Sequence, residues 1–297
     1  MTTGWDMLPE TAKALSAPLT KLVEVVAAGC GRVYGPTDIR RTARAEGDAL
    51  VLLEEAKGRA SEVAVRAAQR LLDVEARRQE NLDAIVEEAR LALPDEVSSE
   101  PVHPDWAARF FHEAGDISDE QMQTVWAKLL VGEVASPGTF SLRTLQLVKN
   151  LSANEANLFN ALCSSSFRTK SRNEPFVEFD RDLKGQLEPL GLSFDSLQTL
   201  DAAGLIRVSP VAFAESKVTA FFVFAPQCML HAASKTPRDL PTGNVYFTPS
   251  GHELATLCEW RIPDHRIDEL EASLQRRGFA VTRHRGQVAS KFDIERR

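Results

Sequence analysis

Residues 119–159, DEQMQTVWAKLLVGEVASPGTFSLRTLQLVKNLSANEANLF, decide how this chain folds, because three helices follow one another here with almost no spare loop. Ser118, with Gln121 three residues on, has capping-box spacing, and the helix it opens places Met122, Val125, Trp126, Leu129 and Leu130 on one face. Pro137-Gly138 ends that helix. Ser141 caps the next, which carries Leu142, Leu145 and Val148. Ser152 and Glu155 form a full S-x-x-E box for a third helix, with Ala156, Phe159 and Leu162 turned inward. Such caps contribute about 1 kcal/mol each, so the helix boundaries are well determined here. The stretch holds no catalytic arrangement. Lys128 and Arg143 read as surface charges near helix ends, and Trp126 and Phe140 read as core.

Upstream, Pro9 to about Val33 predicts a first helix, with Leu15, Leu19, Leu22, Val23 and Val26 at helical spacing and Gly29, Gly31 and Gly35-Pro36 as stops. Its bases are limited to Lys13, Lys21 and Arg32, which favours a core helix over a membrane-surface one. Thr37 or Asp38 can cap a second helix running to about Leu93, before Pro94. Along it Leu53, Ala56, Ala60, Val63, Ala67, Leu71, Val74, Leu82, Ile85 and Ala89 recur every three or four residues, a coiled-coil-like seam rich in alanine with one break near Arg78. Such a rod would be about 80 Å long. It cannot bury its seam alone, so it is expected to fold back on other helices or to pair with another copy. Its polar faces mix acids and bases, as a solvated helix does and a nucleic-acid stripe does not. Residues 93–104 are a proline-punctuated linker, and Pro104-Asp105 opens a short helix carrying Trp106, Phe110 and Phe111.

Downstream of Ser152 the pattern changes. A helix over 153–164 precedes a short strand (176–179), a helix capped by Asp180, a helix over 193–203, a strand (205–208), a second strand (218–224), a third (245–247) and a helix (252–259). Residues 225–244 read as a long loop and about 209–217 as a short wing. This is the winged-helix order, supported by Leu197, Leu200, Gly204, Leu205 and Ile206 and by Phe247-Thr248 with Gly251 and Leu254. The helix that would enter DNA, SFDSLQTLDAAG, has no Lys or Arg and carries Asp195 and Asp201. Carboxylates facing phosphates oppose binding, which favours protein contacts for this module. Basic residues lie elsewhere: Arg168, Lys170 and Arg172 in one loop, and Arg283 and Arg285 near the C-terminus, where Phe279, Val281, Val288 and Phe292 suggest a hairpin about Gly286-Gln287. These five cations are the candidate nucleic-acid contacts.

The whole chain of 297 residues carries a net charge of −7. All of it lies in residues 1–150, with 17 Lys and Arg against 24 Asp and Glu. That balance excludes a basic nucleic-acid scaffold. Cys30, Cys163, Cys228 and Cys258 form no CxxC, so neither structural zinc nor a disulfide framework is expected, and a reducing cytoplasm suits them. The opening MTTGWDMLPE lacks the basic region of a signal peptide, and no apolar run is long enough to span a bilayer. Phosphate loops, HExxH and GxSxG are absent. Cys228 with His231 reads as a packed cysteine rather than a nucleophile–base pair. No catalytic residue, cofactor or metal ligand is predicted.

WAKLLVGEVASPGTFSLRTLQLVKNLSANEANLF resembles the core of bacterial proteins classed as domain of unknown function 2806. Trp126, Pro137, Gly138, Ser141, Arg143, Ser152 and Glu155 carry the resemblance as structural motif residues, and it extends upstream to GRVYGPTDIRRTARAE and downstream to FTPSGHELATL. The central helices are more weakly similar to the abortive-infection Abi-alpha proteins, which implies a link to phage resistance. The expected architecture is mainly α: N-terminal helices with a long coiled-coil-like helix (1–93), a central helical block (94–151), a winged-helix-like α+β domain (152–260) and a small α+β cap (261–297). The expected role is a non-enzymatic cytoplasmic interaction or regulatory protein that forms a homo-oligomer or binds a helical protein partner. The alternative is a nucleic-acid-binding winged-helix regulator.

Overall fold

The computed structural model describes residues 16–30, 62–164, 166–169, 175–177, 188–209, 214–241 and 245–286. Several expected features lie outside these residues: the start of the first helix, the long helix before 62, Lys170 and Arg172, most of the Asp180 helix, and the strand over 288–292. The chain divides into two compact units, Met1–Lys149 and Asn150–Arg297. It is mainly helical, with an antiparallel sheet in the second unit.

The first unit contains α1 (Ala17–Gly29), α2 (Glu62–Leu91), α3 (Pro104–Ala114), α4 (Glu120–Ala135) and α5 (Leu142–Lys149). Their apolar faces meet in one core, with Leu22 and Val26 from α1, Ile85 and Ala89 from α2, Phe110 and Phe111 from α3, Trp126 and Leu130 from α4, and Leu145 and Val148 from α5. Phe110 sits at its centre, stacked 5.0 Å from Trp106 and tilted 5.2 Å from Trp126. Burying such aromatics supplies much of the stability of a core this size.

The caps at Ser141 and Ser152 form as the sequence predicts. Thr144 N donates to Ser141 Oγ at 3.3 Å, and Ser152 and Glu155 exchange bonds of 2.8 and 3.2 Å. The cap of α4 is a correction. Asp119, one residue after Ser118, holds the N-cap position, and its carboxylate accepts from Met122 N at 2.9 Å. Ser118 is occupied elsewhere: its hydroxyl accepts from Asn81 Nδ2 of α2 at 3.1 Å. Asn81 also donates to Gly115 O at 2.8 Å and accepts from Gln123, so this buried amide ties α2 to the turn between α3 and α4.

The second unit contains α6 (Ala153–Ser164), β1 (Phe167–Thr169), β2 (Pro175–Val177), a 3-10 turn (Glu188–Leu190), α7 (Phe194–Ala202), β3 (Ile206–Val208), β4 (Ala214–Ala225), β5 (Cys228–Pro241), β6 (Val245–Phe247), α8 (Pro249–Ala255), α9 (Asp264–Arg276) and β7 (Ala280–Arg285). The strand order is β3-β6-β2-β1-β4-β5-β7. β3 pairs with β6, Val208 opposite Val245, and β4 pairs with β5, Ala214 opposite Pro241. The β1–β2 pair links these two pairs, β2 joining β6 and β1 joining β4.

This pairing corrects two readings. Residues 218–224 belong to the longer β4, which pairs with β5 rather than returning along β3. Residues 228–241, expected within a loop, form a 14-residue strand. Their sequence hides it because SKTPRD is polar and holds a proline. Residues 235–239 are exposed, so strand character there comes from pairing with β4 and not from burial. β4 absorbs a register shift between Glu215 and Val218, with Lys217 at φ 61°.

The core of this sheet alternates as a half-buried sheet should. Phe221, Val223 and Ala225 of β4 and Cys228, Leu230 and Ala232 of β5 face Ile267, Leu270 and Leu274 of α9. Phe279, expected to start a hairpin with later residues, joins this core, and β7 pairs with β5.

Candidate interaction surfaces

Two sequence signatures that looked separate meet at one joint in the second unit. Thr248 caps α8, accepting from Gly251 N at 3.0 Å, while its hydroxyl donates to Gly204 O at 2.7 Å. Thr248 N donates to Leu205 O at 3.0 Å. The FTxxG stretch and the Gly204-Leu205 turn therefore form one backbone lock between the end of α7 and the start of α8. Gly204 adopts φ 79°, which an L side chain resists.

α7 starts where the sequence places it, with a Ser193–Ser196 capping box. Leu197 and Leu200 are buried, and the outward side shows Phe194, Asp195, Gln198 and Ala202. Phe194 is 50% exposed. Asp201 points back to β3, accepting from Val208 N at 3.3 Å and pairing with Arg207 at 3.5 Å. The exposed side of α7 thus offers an aromatic ring and a carboxylate, and no cation.

Of the predicted nucleic-acid contacts, Lys170 and Arg172 lie outside the described residues, and Arg168, Arg283 and Arg285 lie on strands of the sheet. Arg283 is engaged by acids: it donates to Asp268 at 2.5 Å and to Glu271 at 2.7 and 3.0 Å. The bond to Asp268, with Glu271 beside it, holds its pKa above the ordinary arginine value. Two carboxylates on one guanidinium leave no net positive charge for a phosphate. Arg285 is exposed at the end of β7, and Arg168 lies on β1 opposite Phe224.

Cys228 and His231 lie on opposite faces of β5, as an odd spacing on a strand requires. Cys228 is in the core, where burial raises its thiol pKa. His231 stacks on Phe222 at 4.8 Å. No group of three or more His, Cys, Asp or Glu able to hold a metal ion occurs among the described residues. No helix among them is long and apolar enough to cross a membrane.

Among the described residues, exposed large apolar side chains recur on α2. From Asn81 onward its inner face is buried, through Ile85, Val86 and Ala89. Arg78 marks the edge of that packing, held by Asp116 through bonds of 2.8 and 2.9 Å. Before Arg78 the same face continues with Val74, Leu71, Ala67 and Val63. Val63 is 64% exposed and Leu71 62%, with Leu72 also exposed beside them. Over residues 62–77, about 24 Å of helix, Val63, Ala67 and Leu71 of this face are exposed and Val74 is half-buried.

A family model described as "Protein of unknown function (DUF2806)" matches residues 65–271. The chain belongs to this family. No curated protein and no solved structure matches it significantly. The DUF2806 match starts in the uncovered part of α2 and ends inside α9, so it takes in the α4–α5 turn and the Thr248 joint. The stretch GRVYGPTDIRRTARAE lies upstream of it.

Within the DUF2806 span, the motif residues prove to be local structure. Trp126 is fully buried, Pro137 and Gly138 make the turn after α4, and Arg143 is exposed on α5. Sequence reasoning missed the residue that holds this turn. Glu133, 2% exposed, accepts from Gly138 N at 2.7 Å and from Phe140 N at 3.0 Å. Its signal was present: an acid one turn before Pro-Gly, on an otherwise apolar helix face. Phe140 then packs under Gly132, where a Cβ would lie 2.7 Å from the ring.

Proposed function

We propose that this chain is a non-enzymatic bacterial interaction protein that works in the cytoplasm through self-association and protein–protein contacts. The observation that carries this reading is the uncovered apolar face of α2. An isolated helix of this length is marginal in water, and its stability comes from covering such a face. The expected measurement is light scattering on the full chain: a dimer or larger species at micromolar concentration. Leu71→Lys should weaken association about a hundredfold or more, since removing each Leu from burial loses about 1.5–3 kcal/mol. A strict monomer with no recoverable protein partner, or a Leu71→Lys variant that associates as well as the parent, would overturn the reading.

The second unit supports a role in contacts of the winged-helix kind. The succession α6, β2, α7, β3, β6 and the sheet order β3-β6-β2 support this reading, with the long β4–β5 pair where a short wing is expected. The outward side of α7, with Phe194 and Asp195, suits a protein surface better than a phosphate backbone. Formation of a salt-sensitive complex with duplex DNA at low salt would instead favour the nucleic-acid regulator.

Anti-phage defence is the setting we propose, supported by the resemblance of the central helices to Abi-alpha proteins. Expression in a phage-sensitive host should lower plating efficiency for at least one phage by about tenfold or more. Unchanged plating across a broad phage panel, with the protein expressed, would remove this setting and leave the interaction role standing.

A further inference from the structure

We infer that the occupant of the uncovered α2 face is a second copy of this chain, aligned parallel and in register over residues 62–77. The inference rests on the self-association reading above and specifies its geometry. The face follows a heptad line: Leu71, Arg78 and Ile85 at one core position, and Ala67, Val74 and Asn81 at the other. At Ile85 and Asn81 this line is covered by the chain's own bundle; at Ala67 and Leu71 it is exposed.

Orientation follows from the charges that flank the line. Arg70 and Arg77 lie along one edge and Ala68 and Glu75 along the other. In a parallel pair, opposite edges of the two helices meet, and a residue on the first edge reaches the second-edge residue five positions on in the other helix. Arg70 of each copy then faces Glu75 of the other copy, twice per dimer. In an antiparallel pair like edges meet, so arginine faces arginine and Glu75 finds no cation across the seam. Both residues are available: Arg70 is exposed, and Glu75 is 61% exposed, 3.5 Å from an Arg78 that Asp116 already holds. An exposed contact of that length is weak, so giving it up opposes pairing little. The small Ala67 lets the helices approach closely.

Sedimentation or light scattering on the full chain tests this through a charge swap. Glu75→Arg and Arg70→Glu should each weaken association about tenfold, and the double variant should recover to within about threefold of the parent. In an antiparallel dimer Arg70→Glu relieves an arginine–arginine contact, so that single variant would associate at least as well as the parent. Ala67→Cys provides an independent readout, because residue 67 meets its own counterpart only in the parallel register. Mild oxidation should yield a 67–67 disulfide between copies, identified by peptide mass spectrometry. A dimeric parent with neither charge recovery nor that disulfide would overturn the parallel pairing while leaving self-association intact. A monomeric parent would end both, and a parent that associates only with a different protein would replace the second copy as occupant.

Discussion

Gly251→Ala is expected to lower the stability of the second unit by about 3 kcal/mol or more, among the largest effects of any single methyl addition. A Cβ at this position would stand 1.9 Å from Leu205 O and 2.9 Å from Leu205 C. Both are backbone atoms, so no side chain can swing aside. Relief requires α8 to move away from the Gly204-Leu205 turn. That motion pulls Thr248 with it, because Gly251 N donates to its hydroxyl. The bonds from Thr248 Oγ1 to Gly204 O and from Thr248 N to Leu205 O are then lost together. For a unit of about 150 residues the loss corresponds to a melting temperature lower by about 10 °C. A calorimetric melt checks it, with Gly191→Ala as the comparison in the same unit. Gly191 has φ 70° and nothing within 4 Å of its would-be Cβ, so only backbone strain of about 1–2 kcal/mol is expected there. A Gly251→Ala protein that melts with the parent would show that the joint is not rigid.

Glu133→Ala should destabilise the first unit by about 3 kcal/mol, seen as a lower urea midpoint with unchanged slope. Two backbone N–H groups, on Gly138 and Phe140, point at this carboxylate in a buried position. Truncation leaves both without their acceptor, and the penalty falls on the groups that remain. Glu133→Gln keeps a single carbonyl oxygen and should fall between parent and Ala. There is also an electrostatic consequence. Lys21 of α1 is largely buried and donates to Ser98 O at 2.7 Å. Burial lowers its pKa, opposed by Glu100, Glu133 and Glu24. Removing Glu133 deletes part of that compensation and makes the buried ammonium less favourable. An alanine variant within about 0.5 kcal/mol of the parent would mean that the turn holds without its carboxylate.

Both effects arise at places the sequence marked without explaining. Pro137-Gly138 and Phe247-Thr248-Gly251 stand out as motifs because glycines and caps leave local signatures. What they lock onto is remote in the chain: Thr248 reaches Gly204 across 44 residues. The same limit explains the errors. Asp119 and Ser118 are equally good caps in sequence, and the choice between them falls to Asn81, an amide 37 residues away that takes the serine hydroxyl. β5 escaped notice because half of it has no apolar alternation and forms by pairing. Arg283 looked like a phosphate contact until α9 brought Asp268 and Glu271 against it.

By itself the sequence determined most of the described helices of both units, the caps at Ser141 and Ser152, the buried faces of α3 to α6, and the family. These depend on residues three or four apart, whose interactions exist wherever the chain is helical. Tertiary structure alone decided which part of the α2 seam is covered. The apolar repeat is the same on either side of Arg78, but the turn from Gly115 to Ser118 meets it only there and beyond. Periodicity tells that a face is apolar; the reach of the neighbouring helices tells how much of it is buried.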